Sequence, residues 1–291
     1  RNNSKSSWDK FYNIIMNYEK IELCPPSKAS IAPYILENQK KNPFILVIPG
    51  GGYNHFGKKE QETIALFWNS LGFSSAVLYY TLAPFKFPEA LFDLARAVAF
   101  IKKNSDEWNI DPQKIYLCGF SAGGHLCASL GCFWNTPLLQ NLTLDGKILL
   151  PEQIRPDALC LCYPVISADK KICHEGSIQR LTENLTEAER IELCKKTSTQ
   201  NPENKNSEEL IRDAVSLEKH ISKDFPKTFV WHTRTDKAVP AENTLVFAKS
   251  LKDAGIEFEY HLFKEGEHGL ALAENTPAQL WPQMFVNFIT S

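Results

Sequence analysis

Short apolar runs and longer amphipathic stretches alternate along this chain. "FILVIP" (44–49) is an unbroken apolar run that stops at Pro and Gly. "ETIALFWNSLG" (62–72) spaces its apolar residues as a helix does and ends on Gly72, and "SSAVLYY" (74–80) is strand-like again. "PEALFDLARAVAFIKKN" (88–104) opens with Pro88 at a first-turn position, and Leu91, Leu94, Ala95, Val98 and Ile101 form one stripe. Strand "KIYLC" (114–118), helix "AGGHLCASLGCFW" (122–134) and strand "DALCLCYPV" (157–165) follow. The chain closes with strand "KTFVWHT" (227–233), helix "AENTLVFAKSLKDAG" (241–255), strand "EFEYHLF" (257–263) and helix "AQLWPQMFVNFIT" (278–290). Strands that are apolar throughout are buried on both faces. With helices between them, they predict an α/β fold with one mostly parallel, doubly wound sheet, in a single domain.

Residues 168–222 break the pattern. They are polar, charged and helix-prone, with no strand signal. An insertion of that size between two core strands predicts a cap or lid over one edge of the sheet, the alternative being a solvated surface excursion. Near the start, "KIELCPP" and "SIAPYILE" read as edge strands.

Composition narrows the function classes. The 291 residues are 43% hydrophobic and 23% charged, with a formal net charge of −2. The basic residues are scattered, which argues against a nucleic-acid partner. No apolar run approaches the ~18 residues of a membrane span. The chain opens on Arg1 rather than Met, as a trimmed N-terminus would, and no signal peptide is visible. Its eight cysteines include no CxxC pair. They read as core thiols suited to a reducing cytoplasm rather than as a disulfide framework. The sequence allows a homo-oligomer.

"GFSAGGH" (119–125) carries the chemistry. A G-x-S-x-G between a strand and a helix forms a nucleophile elbow, in which a tight turn lifts the serine above the sheet edge. Ser121 is the candidate nucleophile. A serine hydroxyl needs a base oriented by a carboxylate, in the chain order Ser, Asp or Glu, His. "RTDKAVP" places Asp236 after one strand, and "KEGEHGLAL" places His268 after the next. A developing oxyanion needs backbone donors. Ala122 supplies one, and Gly51 and Gly52 of "IPGGGY" supply the others. Tyr53, His55, Phe120 and Tyr163 are candidate substrate-binding residues near the sheet edge, with Phe56 and Trp134 as further aromatic neighbours. For each aromatic, core packing is the competing explanation.

These motifs resemble the α/β-hydrolase serine esterases related to the hormone-sensitive-lipase group, especially the bacterial acetyl (sugar, acetylxylan) esterases. The resemblance covers about 44–290 and includes "YYTLAPFKFPEALFDLARAVAFI", "CYPVIS" and "GEHGLAL". The lipase-like group usually has His before the glycines. Pro49 stands there in this chain, which suits the acetyl-esterase branch. The resemblance implies a small-molecule ester substrate, an acylated sugar among the options, and neither metal nor organic cofactor. The rivals are a serine peptidase of the oligopeptidase type, for whose extra β-rich domain this chain lacks room, and a non-catalytic binding protein on the same fold.

Overall fold

The computed structural model describes residues 14–15, 19–23, 28–37, 39–197 and 205–291. The strands are β1 (Ile14–Ile15), β2 (Ile21–Glu22), β3 (Ser30–Leu36), β4 (Asn42–Ile48), β5 (Ser74–Tyr79), β6 (Ile110–Phe120), β7 (Thr143–Leu144), β8 (Lys147–Ile148), β9 (Ala158–Cys162), β10 (Lys227–Thr233) and β11 (Phe258–Phe263). The helices are α1 (Glu62–Ser70), α2 (Glu89–Lys103), α3 (Ala122–Phe133), α4 (Pro151–Ile154), α5 (Glu175–Thr182), α6 (Glu187–Lys196), α7 (Ser207–Ala214), α8 (Glu242–Asp253) and α9 (Trp281–Thr290).

Among the described residues, nine strands form one sheet in the order β1-β3-β5-β4-β6-β9-β10-β11, with β2 also on β3. From β5 through β11 every pairing is parallel, whereas β3 runs antiparallel to β5, β1 and β2. β3 is therefore not the edge strand its sequence suggests. The short β1 and β2 cover its outer side; β2 falls within the expected strand "KIELCPP", whereas the two-residue β1 is too brief to leave a periodic signal.

The pleat sorts the apolar strands between two layers. Leu117, Leu159 and Leu161 join Leu94, Val98, Leu126 and Phe247 of α2, α3 and α8 on one face. Their neighbours Cys118, Cys160 and Cys162 join Trp68, Trp281 and Phe285 of α1 and α9 on the other. A side chain of this size contributes about 1.5–3 kcal/mol when fully buried, so this two-faced packing drives the fold.

Residues 168–222 hold α5, α6 and α7, between β9 and β10. Thr186 with Glu189 and Asn206 with Glu209 form the capping boxes that start α6 and α7. Ile178, Leu181, Leu193, Leu210 and Ile211 turn inward and join the α2–α3 layer. Buried Asn243 anchors the segment's start. Its Oδ1 accepts the Ile166 and Ser167 N–H groups, and its Nδ2 donates to the Ile172 carbonyl.

Candidate active site

Three loops converge at the carboxyl ends of the parallel strands. The first is the turn from β6 into α3. Ser121 sits there at φ 51° and ψ −117°, a strained conformation for a non-glycine residue. The strain is held by bonds on both sides. The Ser121 N–H donates to Cys162 O at 3.0 Å, and its carbonyl accepts the His125 and Val165 N–H groups, each at 3.1 Å. A β-carbon on Gly123 would lie 2.1 Å from the Ile48 carbonyl oxygen, so only glycine lets α3 start this close to β4.

The loops after β10 and β11 bring the other two groups. The Ser121 hydroxyl lies 2.8 Å from His268 Nε2, and His268 Nδ1 lies 2.6 Å from Asp236 Oδ2. A carboxylate on Nδ1 puts the imidazole proton there and leaves Nε2 to accept from the serine. Asp236 Oδ1 accepts the Ala238 and Val239 N–H groups, both at 2.9 Å. His232 Nε2, which donates to Val239 O, also reaches Asp236 Oδ2 at 3.2 Å. Burial alone would raise the Asp236 carboxyl. Its bonds from His232, His268 and Val239 outweigh that and hold it well below the usual carboxylate range.

Gly50, Gly51 and Gly52 follow β4 and lie against Ser121. A β-carbon on Gly50 would stand 2.9 Å from that of Ser121. Gly51 has φ +119°, and a β-carbon there would meet the His55 carbonyl oxygen at 2.0 Å. The loop is shaped by bonds from the Asn54 and His55 N–H groups to Gly51 O, and from Gly57 N–H to Gly50 O. The Tyr80 hydroxyl fixes Pro49 by donating to its carbonyl at 2.8 Å. Those bonds do not use the N–H groups of Gly51 and Gly52. With Ala122 at the first turn of α3, these are the groups available to hold an oxygen that becomes negative beside Ser121.

Sequence reasoning missed the group that ties these loops together. Glu60 is buried, and its Oε2 accepts the Gly50 N–H at 2.8 Å. Its Oε1 accepts the Tyr163 hydroxyl at 2.8 Å, and that hydroxyl accepts the Ala271 N–H at 2.9 Å. The Tyr163 ring packs edge-on against His268, with centroids 5.0 Å apart. One carboxylate thus links the glycine loop to the histidine loop. Its only trace in the sequence is an acidic residue shortly after the glycines.

The aromatic platform is overturned. Phe120 is 0% exposed and packs against Trp281 in the α1–α9 layer, because it shares the face of Cys118 two residues earlier. Tyr163 is 1% exposed and backs His268 instead. Tyr53 is 3% exposed, and its hydroxyl bonds His125 Nδ1 at 2.8 Å. Trp134, at the far end of α3, lies beside Arg155, and Phe56 packs on Tyr79 and Tyr80. His55 alone of the four is exposed, on the turn closed by Gly51. His125 Nε2 donates to Val215 O at 3.0 Å, and burial pushes this imidazole down to about 4.

A cavity of about 580 Å³ opens beside His268, lined by Lys237, Ala238 and Glu267 among others. The one cluster among the described residues with metal-ligand spacing is Cys118, Cys160 and Cys162, whose sulfurs lie within 4.8 Å of one another. It is wholly buried in the apolar layer with Trp68. The seven described cysteines are free; Cys24 lies outside the described residues. No helix among the described residues is long and apolar enough to cross a membrane.

A family model described as BD-FAE matches residues 34–251. The chain belongs to the BD-FAE family. This BD-FAE chain is 33% identical over 250 residues to endo-1,4-beta-xylanase B of Butyrivibrio fibrisolvens, covering 83% of itself and 34% of that protein. It is 24% identical over 253 residues to an acetylxylan esterase of Xylanibacter ruminicola, covering 86% of itself and 45% of that protein. It thus spans only about a third and under a half of those relatives. Among solved structures it is similar to the acetyl ester-xyloside bifunctional hydrolase of Caldicellulosiruptor lactoaceticus, with TM-score 0.78 and 34% identity over 96% of this chain and 97% of that one. A carboxylesterase of Lactobacillus plantarum matches with TM-score 0.72 and 26% identity, over 94% and 97%. The BD-FAE chain has the α/β-hydrolase fold that its motifs resemble.

Proposed function

We propose that this protein is a serine carboxylester hydrolase that removes short acyl groups, acetyl foremost, from esters of carbohydrates. The observation that carries this is the alignment of Ser121 Oγ, His268 and Asp236 at 2.8 and 2.6 Å. Ser121 attacks the ester carbonyl while His268 Nε2 takes its proton. Asp236 holds the tautomer and stabilises the imidazolium. The Gly51, Gly52 and Ala122 N–H groups receive the oxyanion, and His268 returns the proton to the leaving alcohol. Water, deprotonated by His268, then cleaves the acyl-enzyme.

The acetylxylan esterase and the acetyl ester-xyloside hydrolase support an acetylated sugar as substrate. The xylanase is matched over only 34% of its length, so xylanase activity is not carried over to this chain. Residues 168–222 serve as a cap on the single hydrolase domain. Their large apolar residues are spent on the core, which supports a short acyl pocket over a lipid tunnel. The free thiols suit a reducing compartment such as the cytoplasm.

The test is acetate release from acetylated xylo-oligosaccharides, with fluorophosphonate labelling of the wild type and of Ser121→Ala. Labelling at Ser121 with acetate release supports the proposal. Absence of both from folded protein overturns it.

A further inference from the structure

Helix α5 brings an arginine to the glycine loop. Arg180 Nη1 donates to Gly52 O at 3.3 Å and to Gly176 O at 2.9 Å. A β-carbon on Gly52 would find Arg180 Nη1 at 3.4 Å, Ser177 Oγ at 3.6 Å and His174 Cε1 at 3.8 Å. Gly52 is two residues from Gly50, roughly 7 Å of chain at most, and Gly50 touches Ser121. The guanidinium therefore stands beside the place where an ester would lie.

Its charge is unanswered. No Asp or Glu among the described residues pairs with Arg180, and its bonds all run from Nη1. Glu175, in the first turn of the same helix, is turned to Arg212, with bonds of 3.0 and 2.9 Å. Nε and Nη2 are left, the edge of the fork that matches the two oxygens of a carboxylate. His174 adds a neutral donor. Its Nδ1 accepts the Ser177 N–H at 3.3 Å, which puts the ring proton on Nε2. Burial, then the nearby His268 and Arg180, outweigh Asp236 and lower its pKa, which favours the neutral ring. The acidic residues Glu265 and Glu267 belong to the loop after β11, on the other side of Ser121 in the strand order.

We infer that Arg180, with His174 beside it, forms a carboxylate-binding subsite that selects acetyl esters of uronate-bearing sugars. The inference rests on the ester-hydrolase proposal and deepens it. The carboxylate belongs to the sugar alcohol, on the acylated ring or the next one, and makes a two-point contact with Nε and Nη2. The His174 Nε2–H meets a hydroxyl of the same ring.

A matched pair of substrates tests this: a monoacetylated methyl glucuronoside and the corresponding glucoside, which differ only in carboxylate against hydroxymethyl. Wild type is expected to favour the acid by about tenfold in kcat/KM at low salt. Arg180→Gln should bring the ratio to about one, and Arg180→Lys should restore part of it. The ratio cancels any general loss from disturbing Gly52. Free glucuronate, but not glucose, should compete with p-nitrophenyl acetate in the wild type. A wild-type ratio of one or less, or an unchanged ratio in Arg180→Gln, overturns the subsite while leaving the esterase proposal standing. Failure of wild type to hydrolyse p-nitrophenyl acetate or to take the fluorophosphonate overturns both.

Discussion

Asp236 and Glu189 are both carboxylates with several hydrogen bonds, and they are held in opposite ways. Asp236 takes its bonds in the interior, from His268 thirty-two residues away, from His232 and from two backbone N–H groups. Glu189, in the inserted helix α6, is bonded to Thr186 three residues away and to Lys86 at the surface. The contrast extends to their regions. The loops above the sheet are fixed by buried, long-range bonds that cross from strand to strand. Helix α5 is capped locally by the His174 side chain, α6 and α7 are started by local capping boxes, and exposed ion pairs lace all three, with apolar residues turned inward. Chemistry that fails with a 1 Å error belongs on the first kind of support. Selection among substrates tolerates the second.

The sharpest way to break this contrast is Ser121→Ala. It removes one hydroxyl, so the melting temperature should stay within a few degrees, while kcat on p-nitrophenyl acetate falls on the order of 10⁴–10⁶-fold. Retention of more than a tenth of the rate would falsify the nucleophile assignment. Glu60→Ala comes next. It leaves the Gly50 N–H and the Tyr163 hydroxyl buried without their acceptor, at about 1–3 kcal/mol for each. A displaced glycine loop should also lower kcat by roughly 10²-fold, in the range of a lost oxyanion donor. A fall in KM alone would show that Glu60 does not position the loop.

Acid probes the seam between the two regions. His125 joins Tyr53 beneath the glycine loop to the Val215 carbonyl just after α7. Its pKa is lowered from 6.5 to about 4 in the fold, so between those values the unfolded chain binds the extra proton. Stability is therefore complete above about pH 6.5, falls as the pH drops, and is lower by about 3 kcal/mol near pH 4. Denaturant melts across that range should show the slope, and His125→Asn should flatten it. An unchanged slope in the variant would remove His125 from the seam.

Acyl length tests what the inserted helices withhold. Acetate and butyrate esters of p-nitrophenol should exceed the decanoate at least about tenfold in kcat/KM, since the large apolar residues of α5 to α7 are engaged in the core and each added CH₂ gains its ~0.8 kcal/mol only where an apolar wall receives it. Equal efficiency on the decanoate would point to a lipid-binding cap. The smallest effect belongs to Glu189→Ala, which should lower the denaturant midpoint only marginally, as expected of a surface pair screened by solvent. A larger loss would mean that α6 is held as firmly as the loops above the sheet.

The sequence made Ser121, Asp236 and His268 legible because each stands just past a strand, and strand ends are marked by a change from apolar to turn-forming residues. Sidedness was not legible. β6 is apolar on both faces, so nothing local says that Phe120 follows Cys118 into the α1–α9 layer rather than facing a substrate. Glu60 was hidden differently. "GKKEQE" is polar without period and reads as surface, and only the folding back of residues 50–60 buries one of its carboxylates. Arg180 was hidden because nothing in 168–222 tells which turn of which helix crosses the glycine loop. The helical character of that segment was legible, through Thr186 with Glu189 and its neighbours.

The bonds through Glu60 also set an order of events in time. Tyr163 reaches Glu60 across 103 residues, Ala271 reaches Tyr163 across 108, and His268 reaches Ser121 across 147. Each closure must wait for the strands between to pair, and non-local closures of this kind are slow. During refolding, helix and sheet signals should return first and ester hydrolysis last, once the loop after β11 docks on Tyr163. Recovered activity then reports completion of the whole sheet, and a chain stalled before that docking is compact, largely ordered and inert.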